Sequence, residues 1–302
     1  MLRRPHIPAA RTTALLLFLL ASGLSPAHAL TPSDSSAAGW SLFPGNLAFL
    51  PLTANDQEPK VGLRKEMGAS KLKLDIGSSI DFLEFRPDTT SRLRLGAEFF
   101  TYALTSSVVH QRLQVIAVDG YFGGHISYTC RTGSPFVAFR LRIVHQSGHL
   151  VDGDWDTATM SWMQPSGPVP YTRNFGELTA SASWNCGPGV VMAYSGVSYS
   201  TLVRPSDLAR WSTLHGVEVH STAPCGHILD KPIHLFAADH LTFAGVPTYY
   251  GSNNLEFGVK CGTWEGQGFR LYVNYSTGLD SFSQFYSVRS SQWGVGFTFD
   301  FW

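Results

Sequence analysis

In the stretch Ile143-Val144-His145-Gln146-Ser147-Gly148-His149-Leu150, a histidine and a serine stand two residues apart. A serine hydroxyl becomes a nucleophile when a neighbouring base takes its proton, and histidine is a base suited to neutral pH. On an extended chain, residues i and i+2 share a face about 6.6 Å apart, so their side chains can lean together. A metal reading of the same stretch, joining His145 to His149, fails on distance. Four residues of straight strand span about 13 Å, whereas two ligands of one ion lie within roughly 4 Å of each other. Downstream, Asp152, Asp154 and Asp156 of "DGDWD" alternate along a loop in the way calcium ligands do. The simpler reading is solvated loop acids, with no cofactor and calcium as the one ion the pattern could hold.

Whether His145 and Ser147 meet depends on the element that carries them. Residues 1–29 have a basic start at Arg3, Arg4 and Arg11, an apolar run from Leu15 to Leu20, and Ala27-His28-Ala29. That is the three-part pattern of a cleaved secretory signal peptide. Its removal leaves 19 basic against 22 acidic residues, a balance that argues against nucleic acid as a partner. No later apolar run reaches the ~18 residues a membrane helix needs. The chain is 15% charged and 13% aromatic with 29 glycines, a composition suited to strands with one greasy face.

Periodicity supplies the strands. In "KLKLDIGSSIDF", Leu72, Leu74, Ile76, Ile80 and Phe82 fall on one face and Lys71, Lys73, Asp75 and Asp81 on the other. Leu255, Phe257, Val259 and Cys261 oppose Glu256 and Lys260 in the same way, and Phe269, Leu271, Val273 and Tyr275 oppose Arg270 and Asn274. Segments of ~10 residues, apolar on one face and polar on the other, are what a membrane barrel requires. The expectation is an all-β, antiparallel transmembrane β-barrel over 58–302 with about twelve strands, preceded by a coil or plug over 30–57. Short connections such as "NCGPG" and "TWEGQ" then fall on the periplasmic side, and the long ones, 150–173 and 278–290, fall outside.

The four cysteines, Cys130, Cys186, Cys225 and Cys261, all fall at periplasmic strand ends in this count. An oxidising compartment permits disulfides there. Cys130 with Cys186 and Cys225 with Cys261 are the neighbouring pairs; free thiols are the alternative.

The chain ends "QWGVGFTFDFW". A last strand of alternating aromatics resembles the assembly signal of bacterial outer-membrane proteins, which implies the envelope barrel-assembly machinery as a partner and the outer membrane as the location. "SLFPGNLAFLPLTANDQEPK", "RIVHQSGHLVDGD" and "STGLDSFSQFYS" resemble the landmarks of an uncharacterised bacterial family of outer-membrane β-barrel proteins, a domain of unknown function that carries no activity to transfer.

On such a barrel, Val137, Phe139, Leu141 and Ile143 face lipid and Arg140 and Arg142 face the lumen. Continuing the alternation places His145, Ser147 and His149 outward, near the outer boundary of the membrane. A His-x-Ser on the outer face of a barrel strand is similar to the catalytic strand of outer-membrane phospholipase A and of the lipid A deacylases. That resemblance implies Ser147 as nucleophile, His145 as general base and outer-membrane lipid as substrate. The orienting third residue falls on the next strand, where Asn174 has outward parity and Glu177, the stronger acceptor, has inward parity and needs a bulge. The sequence departs from the phospholipase pattern at Gly148, where asparagine follows the serine, and in the longer 150–173 loop.

Lysines, arginines and acids of both signs point inward, Lys73, Arg94, Glu98, Arg142 and Glu256 among them. Mixed signs predict a salt-bridged filling, with a narrow solute channel as the alternative. Three functional classes follow in order: an embedded barrel with a structural or interaction role, a lipid esterase working from the outer wall, and a small channel.

Overall fold

The computed structural model describes residues 38–69, 71–108 and 112–302. The expected signal peptide, 1–29, lies outside the described residues. Twelve antiparallel strands form one closed barrel: β1 Val61–Glu66, β2 Lys71–Arg86, β3 Ser91–Val108, β4 Arg112–Cys130, β5 Phe136–Leu150, β6 Tyr171–Cys186, β7 Gly189–Arg204, β8 Trp211–Ser221, β9 Lys231–Gly245, β10 Tyr249–Gly262, β11 Gly268–Leu279 and β12 Arg289–Asp300. Each pairs with its sequence neighbours, and β12 pairs with β1 from Gly294↔Glu66 to Phe299↔Val61 to close the ring. All-β architecture and strand number are as the alternation predicts.

The period of two explains the wall. Ile143 is 69% exposed while its neighbour Arg142 is 0% exposed, and the same contrast separates Phe99 at 69% from Glu98 at 4%. The large exposed outward side chains are mainly Ile, Leu, Phe, Val and Trp, and most inward ones are charged or polar. Below residue 75, β2 runs past the short β1, and its lower end instead pairs with a strand at Gly39–Leu42, in register Leu42↔Leu83 to Gly39↔Arg86.

The lumen is filled. Residues 47–60 run inside it, with Phe49 and Leu52 packed on Ala138, Tyr194 and Leu214. Polar contacts seat this plug on the wall. Glu218 accepts from the Thr53 amide at 2.7 Å and from its hydroxyl at 2.6 Å, Asn254 donates to the Ala54 carbonyl at 2.7 Å, and Asp81 accepts from the Ala48 amide at 2.8 Å. Arg140 forks onto Glu58, and Arg142 donates to Glu98 through two nitrogens at 2.9 Å and to the Gln57 carbonyl at 3.1 Å. Paired charges are the condition under which buried ones are tolerated.

At the outer mouth the loop 280–288 folds inward. Phe282 joins a cluster with Phe100, Tyr102, Tyr121, Val144 and Phe175. Ser283 donates to Asp119 through its amide at 3.0 Å and its hydroxyl at 2.5 Å, and Gln284 donates to the carbonyls of Gly148 and Val169 at 2.8 Å each. Within the lumen, cavities of about 170 Å³ on the side of the loop 280–288 and about 350 Å³ on the opposite side flank the plug.

All four cysteines are free thiols, which corrects the suggested pairs. Cys130 on β4 and Cys186 on β6 flank β5, and Cys225 and Cys261 flank Ile233 from opposite sides. At least two strand spacings, about 9–10 Å, separate the members of each pair, more than the Cα span a disulfide bridges.

Candidate functional site on the outward wall

β5 and β6 run in unbroken register from Phe136↔Ser183 to Gly148↔Tyr171, which places His145 directly opposite Asn174 and Ser147 opposite Thr172. His145, Ser147 and Asn174 share the outward face. His145 Nδ1 lies 2.6 Å from Asn174 Oδ1. An amide oxygen only accepts, so Nδ1 carries a proton, and in the neutral imidazole Nε2 is then the atom with the lone pair. That is the tautomer a general base uses. The imidazole also packs on Phe122, with ring centroids 4.7 Å apart and planes tilted by 36°.

Ser147 stands two residues further toward the outer rim. Its other neighbour across the ladder is Gly120, so its hydroxyl looks onto an open patch of wall. No hydrogen bond joins Ser147 to His145 among the described residues. His145 and Asn174 are therefore paired, and Ser147 is adjacent with no hydrogen bond from its hydroxyl among the described residues.

Glu177 does not belong to this face. No bulge interrupts β6, so its parity stays inward, where it is buried 3.3 Å from Arg142 and 3.8 Å from Arg140. Its carboxylate balances the lumen cations and cannot orient His145. Gly148 points inward as well. A Cβ there would meet Ser283 Cβ at 2.4 Å and Asp119 Oδ1 at 2.8 Å, so the loop 280–288 packs where an asparagine side chain would stand.

The loop acids are spent locally. Asp154, buried, accepts from the Gln164 amide at 2.8 Å; Asp156 accepts from the Ala158 amide at 2.8 Å and the Thr159 hydroxyl at 2.9 Å; Asp152 is exposed. Among the described residues no group of three or more His, Cys, Asp and Glu side chains could hold a metal ion.

One outward feature escaped the reading of the sequence. Ser195 on β7 lies opposite His215 on β8, with Oγ 3.0 Å from Nδ1, and Asp239 on β9 accepts from Asn253 on β10 at 2.6 Å. For Asp239 the signal was available, since Leu235, Ala237, Leu241 and Phe243 share its parity.

No family model matches the chain, and no curated protein matches its sequence. Solved structures similar to it include the beta domain of the Bordetella autotransporter Brka, 13% identical over 80% of this chain and 96% of that one, with a TM-score of 0.41. The Pseudomonas putida toluene transporter TodX is 9% identical over 76% of this chain and 69% of its own, at 0.41. The outer-membrane protein OmpT of Vibrio cholerae, outer-membrane expressed, is 9% identical over 83% of this chain and 99% of its own, at 0.36. Likeness at this level transfers no role, so the barrel rests on its own strand pairing.

Proposed function

We propose that this chain is an integral outer-membrane β-barrel that acts at its lipid-facing wall, through interaction with other envelope components, and not by passing solute through its lumen. The observation that carries this reading is the contrast between the two faces of the wall. The outward face is a mainly apolar belt fit for hydrocarbon, while the lumen is occupied by residues 47–60 and by an ion-paired lining. Apolar-out, polar-in strands closed into a ring satisfy every demand the bilayer makes on a backbone. The test is density-gradient separation of inner and outer membranes, followed by unheated gel electrophoresis. A band that sediments with the outer membrane and shifts on boiling supports the reading; recovery in the soluble fraction overturns it.

A second reading, a lipid esterase, is favoured by the His145–Asn174 contact. Residues at that height, five below the outer end of β5, lie near the boundary where the ester bonds of membrane lipids reside. In that reaction Ser147 Oγ would attack the ester carbonyl carbon as His145 Nε2 takes its proton. The leaving alcohol would depart with that proton, and water would release the acyl group from the serine. Solubilised protein is assayed on phospholipid and on lipid A beside Ser147→Ala. Product formed by the parent and not by the variant supports the esterase; equal rates remove Ser147 as nucleophile.

A further inference from the structure

The polar groups on β7–β10 pose a problem that neither the lumen nor the rim solves. Asp239 is eight residues from the inner end of β9 and six from the outer end. At ~3.3 Å per residue on a strand tilted about 40°, six residues descend roughly 15 Å, which is the middle of an apolar band ~25 Å tall. Its side chain is exposed on the outward face. Asn253 supplies one hydrogen bond, at 2.6 Å to Oδ1, and Oδ2 accepts none among the described residues. A carboxylate has room for about four.

Beside it stands the complement. His215 lies on β8, and the pairings Leu241↔His215 and Asp239↔Val217 make His215 and Asp239 diagonal neighbours on one face. They do not bond to each other. His215 is held by Ser195 at 3.0 Å and by the Thr213 hydroxyl at 3.3 Å. The two groups lie within about 5 Å of one depth in the membrane.

Lipid does not meet this demand, because headgroups stay at the boundary and acyl chains offer no donor. Ionisable groups within a membrane belong against protein or water. A second barrel inserted the same way up presents its own groups at the same depth. When two copies face each other across a two-fold axis along the membrane normal, set between β8 and β9, each β8 meets the other copy's β9. Each His215 then stands opposite the other copy's Asp239, and the contact is made twice, as a two-fold interface requires.

We propose that the wall formed by β7–β10 is the interface of a homodimer within the membrane, with His215 and Asp239 paired between copies. This inference rests on the outer-membrane reading above. Shared depth and opposite character favour a second copy over a different partner, since one chain supplies both halves of the pair.

The experiment compares parent, His215→Asp, Asp239→His and the double swap. Outer-membrane fractionation and the heat shift of the folded band are scored first, then mass is measured by light scattering and native mass spectrometry in detergent and in lipid nanodiscs. The expected result is a dimer for the parent and at least a tenfold weaker dimer for each single variant, where like groups face each other. The double swap, which restores one acid opposite one imidazole, should recover it. A parent that sits in the outer membrane but stays monomeric overturns the dimer alone, as do single variants that associate as well as the parent. A parent found in the soluble fraction overturns both the dimer and the reading on which it rests.

Discussion

Asn174 fixes the chemistry open to His145 by fixing its proton. With Nδ1–H committed to the amide oxygen at 2.6 Å, the neutral ring carries its lone pair on Nε2 and is held against Phe122. If lipid esters are cleaved here, His145→Ala should lower turnover by ~10²–10⁴-fold, the range that a positioned general base supplies. Asn174→Ala should cost less, because it leaves the base in place but unoriented; initial rates on dispersed phospholipid measure both. Gly148 makes a separate prediction at this scale. Replacing it with asparagine drives a side chain into Ser283 and should cost about 1–3 kcal/mol as an overpacked contact. Unheated gels run along a temperature series, together with protease cleavage within 280–288, would register the displacement. Glycine at 148 thus has a packing cause.

At the scale of elements, strand positions were legible because lipid and lumen impose opposite solvents on alternate residues. Long dyads such as Leu255–Cys261 carry that record without interruption. The record fails where the backbone slips. In β2 the register shifts between Asp81 and Leu83, opposite Gly96 and Leu95, so Glu84 turns inward to bond Arg94 at 2.5 Å although unbroken alternation would expose it. The outward set at His145 and Asn174 was legible from parity alone, since no bulge intervenes. The Ser195–His215 contact was not, because it depends on which strands adjoin and in what register. The fold of 280–288 into the mouth was also invisible to periodicity, being loop chemistry. That loop carries a pH dependence. Burial pushes the Asp280 carboxyl up to about 6, opposed by the Phe282 amide that it accepts and by Lys71. A carboxyl raised in the folded state favours folding fully below its ordinary value near 3.8 and loses that contribution as pH rises through about 6. Amide exchange in 280–288, corrected for intrinsic pH effects, should therefore show greater protection at about pH 4.5 than at about pH 7.5. Asp280→Asn should reduce the difference, leaving the part that comes from the Asp119 carboxyl bonded to Ser283.

For the whole molecule, the lumen network decides whether the barrel is a plugged wall or a path. Arg142 stands at its centre, within 2.9 Å of Glu98, 3.3 Å of Glu177 and 3.7 Å of Glu58, and so ties β3, β5 and β6 to the plug. Removing it leaves three buried acids, of which Glu58 and Glu177 keep Arg140 as an ion-pair partner and Glu98 keeps none among the described residues. Breaking a buried set by deleting one partner costs about 3–5 kcal/mol, whereas apolar replacement of a complete pair is often tolerated. Arg142→Met should accordingly lower the temperature of the heat shift, while the triple change that also converts Glu98 and Glu177 to Gln should recover much of it. The same change bears on permeation. Parent protein in a planar bilayer should be electrically silent, because residues 46–57 stand between the outer and periplasmic cavities. Loosening their anchor in Arg142→Met should produce intermittent openings, and deleting 46–57 a steady conductance. If the deletion variant folds, by its heat shift, and still passes no current, the wall's own side chains close the lumen and the plug serves only to neutralise them. Steady current through the parent would instead make the lumen a working channel, and the outward wall would lose its claim to be the site of function.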